Sequence, residues 1–72
     1  MKTEKPFQRR IRKNILRLAG AKNITLERLA VEADLTSSFV SQVLAGRSSI
    51  SLASLERLAE ALDVDVVELF KA

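Results

Sequence analysis

The side chains best placed for chemistry in this chain gather in one short stretch, and the chemistry open to them is hydrogen bonding. Ser37, Ser38, Ser41 and Gln42 fall on one side of a helical wheel, while Val40, Val43 and Leu44 take the other. A hydroxyl donates one hydrogen bond and accepts two, and a carboxamide does both at once. Such a face suits a partner whose edge carries donors and acceptors. Catalysis is not expected of it. The chain has no His, Cys, Tyr or Trp, and no carboxylate pair stands with a supporting base or metal set. Asp63, Asp65 and Glu68 faintly suggest a cation loop, but the glycine turn and the ligand count are missing. Capping accounts better for Asp65 and Glu68, so neither an enzyme nor a cofactor is expected.

The elements that must position this face announce themselves by a pattern that recurs four times. An apolar residue precedes Thr, Ser or Asp, and the fourth residue beyond is apolar again: Ile24-Thr25 with Leu29, Leu35-Thr36 with Val40, Ile50-Ser51 with Leu55, and Val64-Asp65 with Leu69. This is an N-cap flanked by a hydrophobic staple. The side-chain oxygen satisfies an orphan backbone N–H, and the apolar pair fixes the angle at which the chain turns into the helix. Asp65 with Glu68 approximates a capping box. A first helix precedes these four, with Phe7, Ile11, Ile15 and Leu18 on one face and Pro6 in its first turn. Asn23 ends it, because Asn tolerates the left-handed conformation. The second helix is expected over about 26–33, with Asp34 in the turn after it, and the third over 37–45, with Gly46 following. The fourth carries Leu52, Leu55, Leu58, Ala59 and Leu62 on one stripe, and a short fifth carries Val66, Leu69 and Phe70. No alternation suggests a strand. The fold class is therefore all-α, a compact five-helix domain over 6–72 behind a flexible arm at 1–5. For that arm a frayed terminus is the plainer reading and an arm that contacts a partner the other.

Charge divides the chain. Residues 1–24 carry Lys2, Lys5, Arg9, Arg10, Arg12, Lys13, Arg17 and Lys22 against Glu4 alone. Residues 51–72 carry Glu56, Glu60, Asp63, Asp65 and Glu68 against Arg57 and Lys71. The basic end attracts polyanions and the acidic end repels them. A domain of 72 residues buries only about 60% of its unfolded surface, so a partner subunit would supply what one core lacks. No run approaches the roughly 18 apolar residues that span a bilayer, and no apolar signal core stands at the N-terminus. With no Cys to staple so small a domain, an intracellular, unexported protein with no membrane partner is expected.

Two short helices that start eleven residues apart, at Thr25 and Thr36, with a turn of Asp34-Leu35-Thr36 between them, make a helix-turn-helix over about 25–45. In such a pair the first helix crosses the DNA backbone and the second enters the major groove. At this point the chain resembles the lambda-repressor and Cro family of bacterial and phage transcription regulators. The resemblance runs through Ile24-Thr25-Leu26-Glu27-Arg28-Leu29-Ala30, Leu35-Thr36, Val40-Ser41, Gly46, Ser51-Leu52 with Leu55, Ala59 and Leu62, and Glu68-Leu69-Phe70. It covers about two-thirds of the chain. Leu26 departs from it, since a phosphate-touching Gln is common there, which leaves a backbone N–H at that helix start to meet phosphate. Asn23, Asp34 and Asp63 stand where Gly is common, and all three tolerate the left-handed conformation. Ala19 and Leu44 stand where an Arg–Glu pair is common, and the joint change leaves no orphan charge.

The resemblance implies double-stranded DNA as partner and a dimeric regulator reading an inverted repeat. It gives base contacts to Ser37, Ser38 and Gln42, of which Gln42 can pair bidentately with adenine. Phe39 either touches a thymine methyl or sugar, or packs under the edge of the second helix. Phosphate contacts fall to Thr25, Thr36, Ser41, Arg47, Ser48 and Arg10, with Arg47 foremost; Lys13 and Arg17 either add to them or form a solvated face. Ala30 and Ala33 let the second and third helices cross closely. Val66, Val67, Leu69 and Phe70 offer more apolar surface than one small core needs, and are the expected homodimer interface. The setting implied is cytoplasmic, bacterial or phage-encoded, on the nucleoid when bound. A second reading is a protein-interaction module, with a protein partner on the acidic C-terminal third.

Overall fold

The computed structural model describes residues 6–71, and the expected arm at 1–5 lies outside the described residues. Four α-helices follow in order: α1 (Pro6–Ala21), α2 (Leu26–Glu32), α3 (Ser37–Leu44) and α4 (Leu52–Ala61). A 3-10 helix, Val66–Phe70, comes after them. No strand occurs among the described residues.

The expected fifth α-helix is thus replaced by a tighter turn. Five residues leave little room for bonds of α spacing, and the two adjacent β-branched residues, Val66 and Val67, favour the α conformation weakly. The N–H of Glu68 donates instead to the carbonyl three residues back, at Asp65, over 2.9 Å. The capping box is half formed. Asp65 Oδ1 accepts from the N–H of Val67 at 2.9 Å, but the Glu68 carboxylate pairs with Lys71 at 2.8 Å.

The other caps stand as their sequence pattern requires. Thr25 Oγ1 accepts from the N–H of Arg28 at 3.1 Å, Thr36 Oγ1 from Phe39 at 3.0 Å and Ser51 Oγ from Ser54 at 3.1 Å. The staple residues Ile24, Leu35, Ile50 and Val64 pack against the core.

Helix ends are equally regular. Asn23, Asp34 and Asp63 take φ of 58°, 61° and 60°, and Gly46 takes 77°. Around each, two crossed bonds close the helix. After α1, Asn23 donates to Gly20 and Ile24 to Ala19; after α2, Asp34 donates to Val31 and Leu35 to Ala30. After α3, Gly46 donates to Val43 and Arg47 to Gln42; after α4, Asp63 donates to Glu60 and Val64 to Ala59. These are Schellman motifs, which satisfy carbonyls left over at the helix end. Three junctions therefore share one three-residue module of left-handed residue, apolar staple and cap: Asn23-Ile24-Thr25, Asp34-Leu35-Thr36 and Asp63-Val64-Asp65. Only the α3–α4 junction is longer, inserting Arg47, Ser48 and Ser49 between Gly46 and Ile50.

Packing joins α2 to α3 and to α4, and the 3-10 helix to α1 and α4. Ile15, Leu29, Leu58, Leu62 and Leu69 are fully buried at the centre, with Ile11, Ala19, Ala33, Leu55 and Ala59 around them. Burying each of the large ones is worth about 1.5–3 kcal/mol. Ala30 is buried as well. Two predicted stripes overhang this core: Phe7 and Leu52, each in the first turn of its helix, are exposed.

Asn14 is the one buried polar residue among those described, only 6% exposed. Its amide donates to the carbonyls of Leu69 at 2.9 Å and Lys71 at 2.7 Å, and its Oδ1 accepts from Arg17 at 3.2 Å. It ties the last described turn to α1.

Candidate nucleic-acid interface

Along α3, the side assigned to the core is buried at Val40 and half-buried at Val43 and Leu44. Ser37, Ser38, Ser41 and Gln42 are exposed. Phe39 is half-buried, an intermediate between its two expected placements. The first two turns of α3 therefore present hydroxyls and one carboxamide outward, on a helix held by the core beneath it.

Thr36 is exposed at the head of this face. Its Oγ1 accepts the capping bond from Phe39, and accepting leaves the hydroxyl proton free to donate. The same holds for Thr25 at the head of α2. Capping and phosphate contact are compatible at both positions, because one uses a lone pair and the other the proton.

The α3–α4 junction sits at the other end of the face. Gly46 reverses the chain in a left-handed conformation that L side chains rarely adopt. Arg47 follows, exposed, its N–H bonded to the carbonyl of Gln42 at 2.9 Å. In the other three junctions this position holds an apolar staple; here it holds a guanidinium. Ser48 is half-buried, and its hydroxyl donates to Oε1 of Gln42 at 3.2 Å. The loop thus turns back onto α3. Gln8 and Ile11 of α1 line one small groove with Gly46, Ser48 and Ile50. Arg10, between them in sequence, is exposed on the same stretch of α1.

The structure thus brings Ser48 onto Gln42 and sets Arg47 beside them, with Thr36, Ser37 and Ser38 at the head of the same helix. Thr25 stands apart at the start of α2, and Arg10 lies on α1. The proposed interface residues divide. Val67 is 57% and Phe70 37% exposed, whereas Leu69 is wholly buried and Val66 half-buried against the core. Leu69 belongs to the protomer's own interior, so the free apolar surface is that of Val67 and Phe70.

Sequence reasoning missed one residue and one bond. Asn14 had a signal, a polar residue three after Ile11 within an apolar stripe. The Ser48–Gln42 bond had none, because it depends on where a loop returns.

A family model for helix-turn-helix proteins, HTH_3, matches residues 15–69. The chain belongs to the HTH_3 family. As a Cro/C1-type helix-turn-helix protein it is a DNA-binding transcription regulator, and its family is one of regulators rather than enzymes. Solved HTH_3-like structures agree. The restriction-modification controller protein C.AhdI from Aeromonas hydrophila is similar at 33% identity, with a TM-score of 0.82, over 88% of this chain and 96% of that one. A hypothetical transcription factor from Neisseria, NHTF, is similar at 27% identity, with a TM-score of 0.87, over 99% and 82%. An HTH_3 family transcriptional regulator from Vibrio cholerae shares the fold at 22% identity, with a TM-score of 0.81, over 89% of this chain and 36% of that one. No curated protein sequence gives a significant match. Among the described residues no helix is long and apolar enough to cross a membrane, and no group of His, Cys, Asp or Glu could hold a metal ion.

Proposed function

We propose that this HTH_3 protein is a homodimeric transcription regulator that reads an inverted-repeat operator in double-stranded DNA, acting in the cytoplasm. The observation that carries this reading is the outward polar face of α3, capped at one end by Thr36 and met at the other by the Arg47 loop. Ser37, Ser38 and Gln42 contact base edges in the major groove. Phe39, half-buried, offers its exposed part to a thymine methyl or sugar. Arg47 leads the phosphate contacts, with Thr25, Thr36, Ser41 and Arg10.

Size supports a dimer. The longest extent of the protomer is 31 Å, whereas major-groove faces on one side of DNA recur about every 34 Å. One copy with one recognition helix reads one half-site, and a second copy reads the next. The controller protein that the chain resembles over 96% of that chain's length supports a fold of this size as enough for regulation.

Selection of bound duplexes from a random pool tests the reading, repeated across salt concentrations. An inverted repeat with half-sites one turn apart should be enriched. Arg47→Ala should weaken every site alike and lower the salt slope by about 1, while Gln42→Ala should alter preference at one position of each half-site. Salt-sensitive binding with no enriched sequence would overturn it.

A further inference from the structure

We propose that Ser48 is a positioning residue that sets which base Gln42 reads. The proposal rests on the reading of α3 as the recognition helix. Three of the four helix junctions are minimal modules with no spare residue, and the fourth alone carries three extra. Two of the three return to one place. The N–H of Arg47 bonds to the main-chain carbonyl of Gln42 at 2.9 Å, and the hydroxyl of Ser48 bonds to its side-chain Oε1 at 3.2 Å. Main chain and side chain of one exposed residue are thus held by one loop. Ser48 is itself half-buried, in the groove it lines with Ile11, Val43 and Ile50, so its oxygen is fixed in place.

The chemistry follows from counting protons. A serine hydroxyl has one. Given to Gln42, it is not available to a phosphate, which can only accept, so Ser48 works through Gln42 in place of the phosphate contact expected from its sequence position. Gln42 is changed as well. A free glutamine reads adenine with both ends, Oε1 accepting from N6 and Nε2 donating to N7. Oε1 has two lone pairs, so the bond from Ser48 fixes the carboxamide and leaves Oε1 one lone pair and Nε2 its protons for the groove. Guanine presents two acceptors there, N7 and O6, and no donor. The held carboxamide, with acceptor and donor fixed side by side, therefore favours adenine over guanine.

The test measures binding to operators differing only at the base pair under Gln42, found as the position that Gln42→Ala relaxes. The wild-type protein should prefer adenine there. Ser48→Ala, which frees the carboxamide to turn, should lower the adenine-to-guanine ratio by about fivefold, and Ser48→Thr, which keeps the hydroxyl, should restore it. In a Gln42→Ala background Ser48→Ala should change the ratio no further. Thermal unfolding of each variant separates these effects from lost folding. An unchanged ratio in Ser48→Ala overturns the proposal, whether affinity falls uniformly, as for a phosphate ligand, or stays the same. Wild-type preference for guanine also overturns it. Absence of any enriched operator would instead be a failure of the recognition-helix reading.

Discussion

At the scale of single residues, several side chains carry two duties that chemistry allows to coexist. Thr36 caps α3 through a lone pair and keeps its proton for a phosphate. The two duties can be separated by substitution. Aspartate caps as well as threonine, and its charge suits a helix N-terminus, but it has no proton to give and repels phosphate. Thr36→Asp should therefore leave stability within about 0.5 kcal/mol and lower DNA affinity at least about tenfold, equally on all sequences. Denaturant unfolding paired with a binding titration reads both. If affinity were unchanged, Thr36 would not lie near the DNA backbone. Arg28, by contrast, forms a pair with Glu32 at 2.8 Å, but an exposed bond of this kind adds only about 0.3–0.5 kcal/mol, and little hangs on it.

At the scale of elements, the helix boundaries follow from local rules, and that is why they were legible in the sequence. A cap, a staple and a left-handed terminator act within six residues of one another. Thr25, Thr36, Ser51 and Asp65 could be found because each carries its partners nearby. Asp34 tests this. Its φ of 61° suits Gly, Asn or Asp, while a β-branched residue is strained there. Asp34→Val should cost about 1–2 kcal/mol and Asp34→Gly should be near neutral, measured as shifts in the urea midpoint; equal effects would mean the left-handed turn is not maintained. What the sequence hid depends on distance. Asn14 bonds to residues 55 and 57 positions away, and no local pattern names such partners. The ends of the apolar stripes were misjudged for a related reason. Periodicity places Phe7 and Leu52 on the core face but says nothing of where the core stops. The last helix was placed correctly and typed wrongly, since capping marks where a helix starts and not how tightly it winds. On the recognition face, the residues that point outward could be read from spacing, but the loop that grips Gln42 could not.

Asn14 connects this scale to the next. It gives two hydrogen bonds to carbonyls of the last turn, and so fixes the 3-10 helix on α1. Asn14→Leu keeps the bulk and removes both donors. Losing both bonds, one of them buried, should cost about 2–4 kcal/mol, which for a domain of this size lowers Tm by about 10–20 °C. Asn14→Asp should be worse, because a carboxylate would face two carbonyl oxygens as a third acceptor. A Tm within a few degrees of wild type in Asn14→Leu would show that the clamp contributes little.

At the scale of the whole molecule, that clamp bears on assembly. Val67 and Phe70 are the exposed residues of an element anchored by buried Leu69 and by Asn14. In a two-fold dimer the same patch meets itself, and a charge placed near the axis faces its own copy. Phe70→Arg should therefore separate the subunits. Sedimentation should report 8.0 kDa in place of twice that mass. The fold should survive, because the ring is already partly in water and the core beneath it is untouched. Binding to a full inverted repeat should fall about 10- to 100-fold, since the second half-site no longer follows the first at high effective concentration. Affinity for an isolated half-site should stay near that of the wild type, and the salt slope on the full site should drop to about half as the bound phosphate contacts halve. A variant that still sediments as a dimer would move the interface elsewhere, to the exposed apolar residues at Phe7, Leu16 or Leu52. The half-site measurement decides whether a loss on the full site comes from assembly or from the recognition helix, because only the second would weaken both.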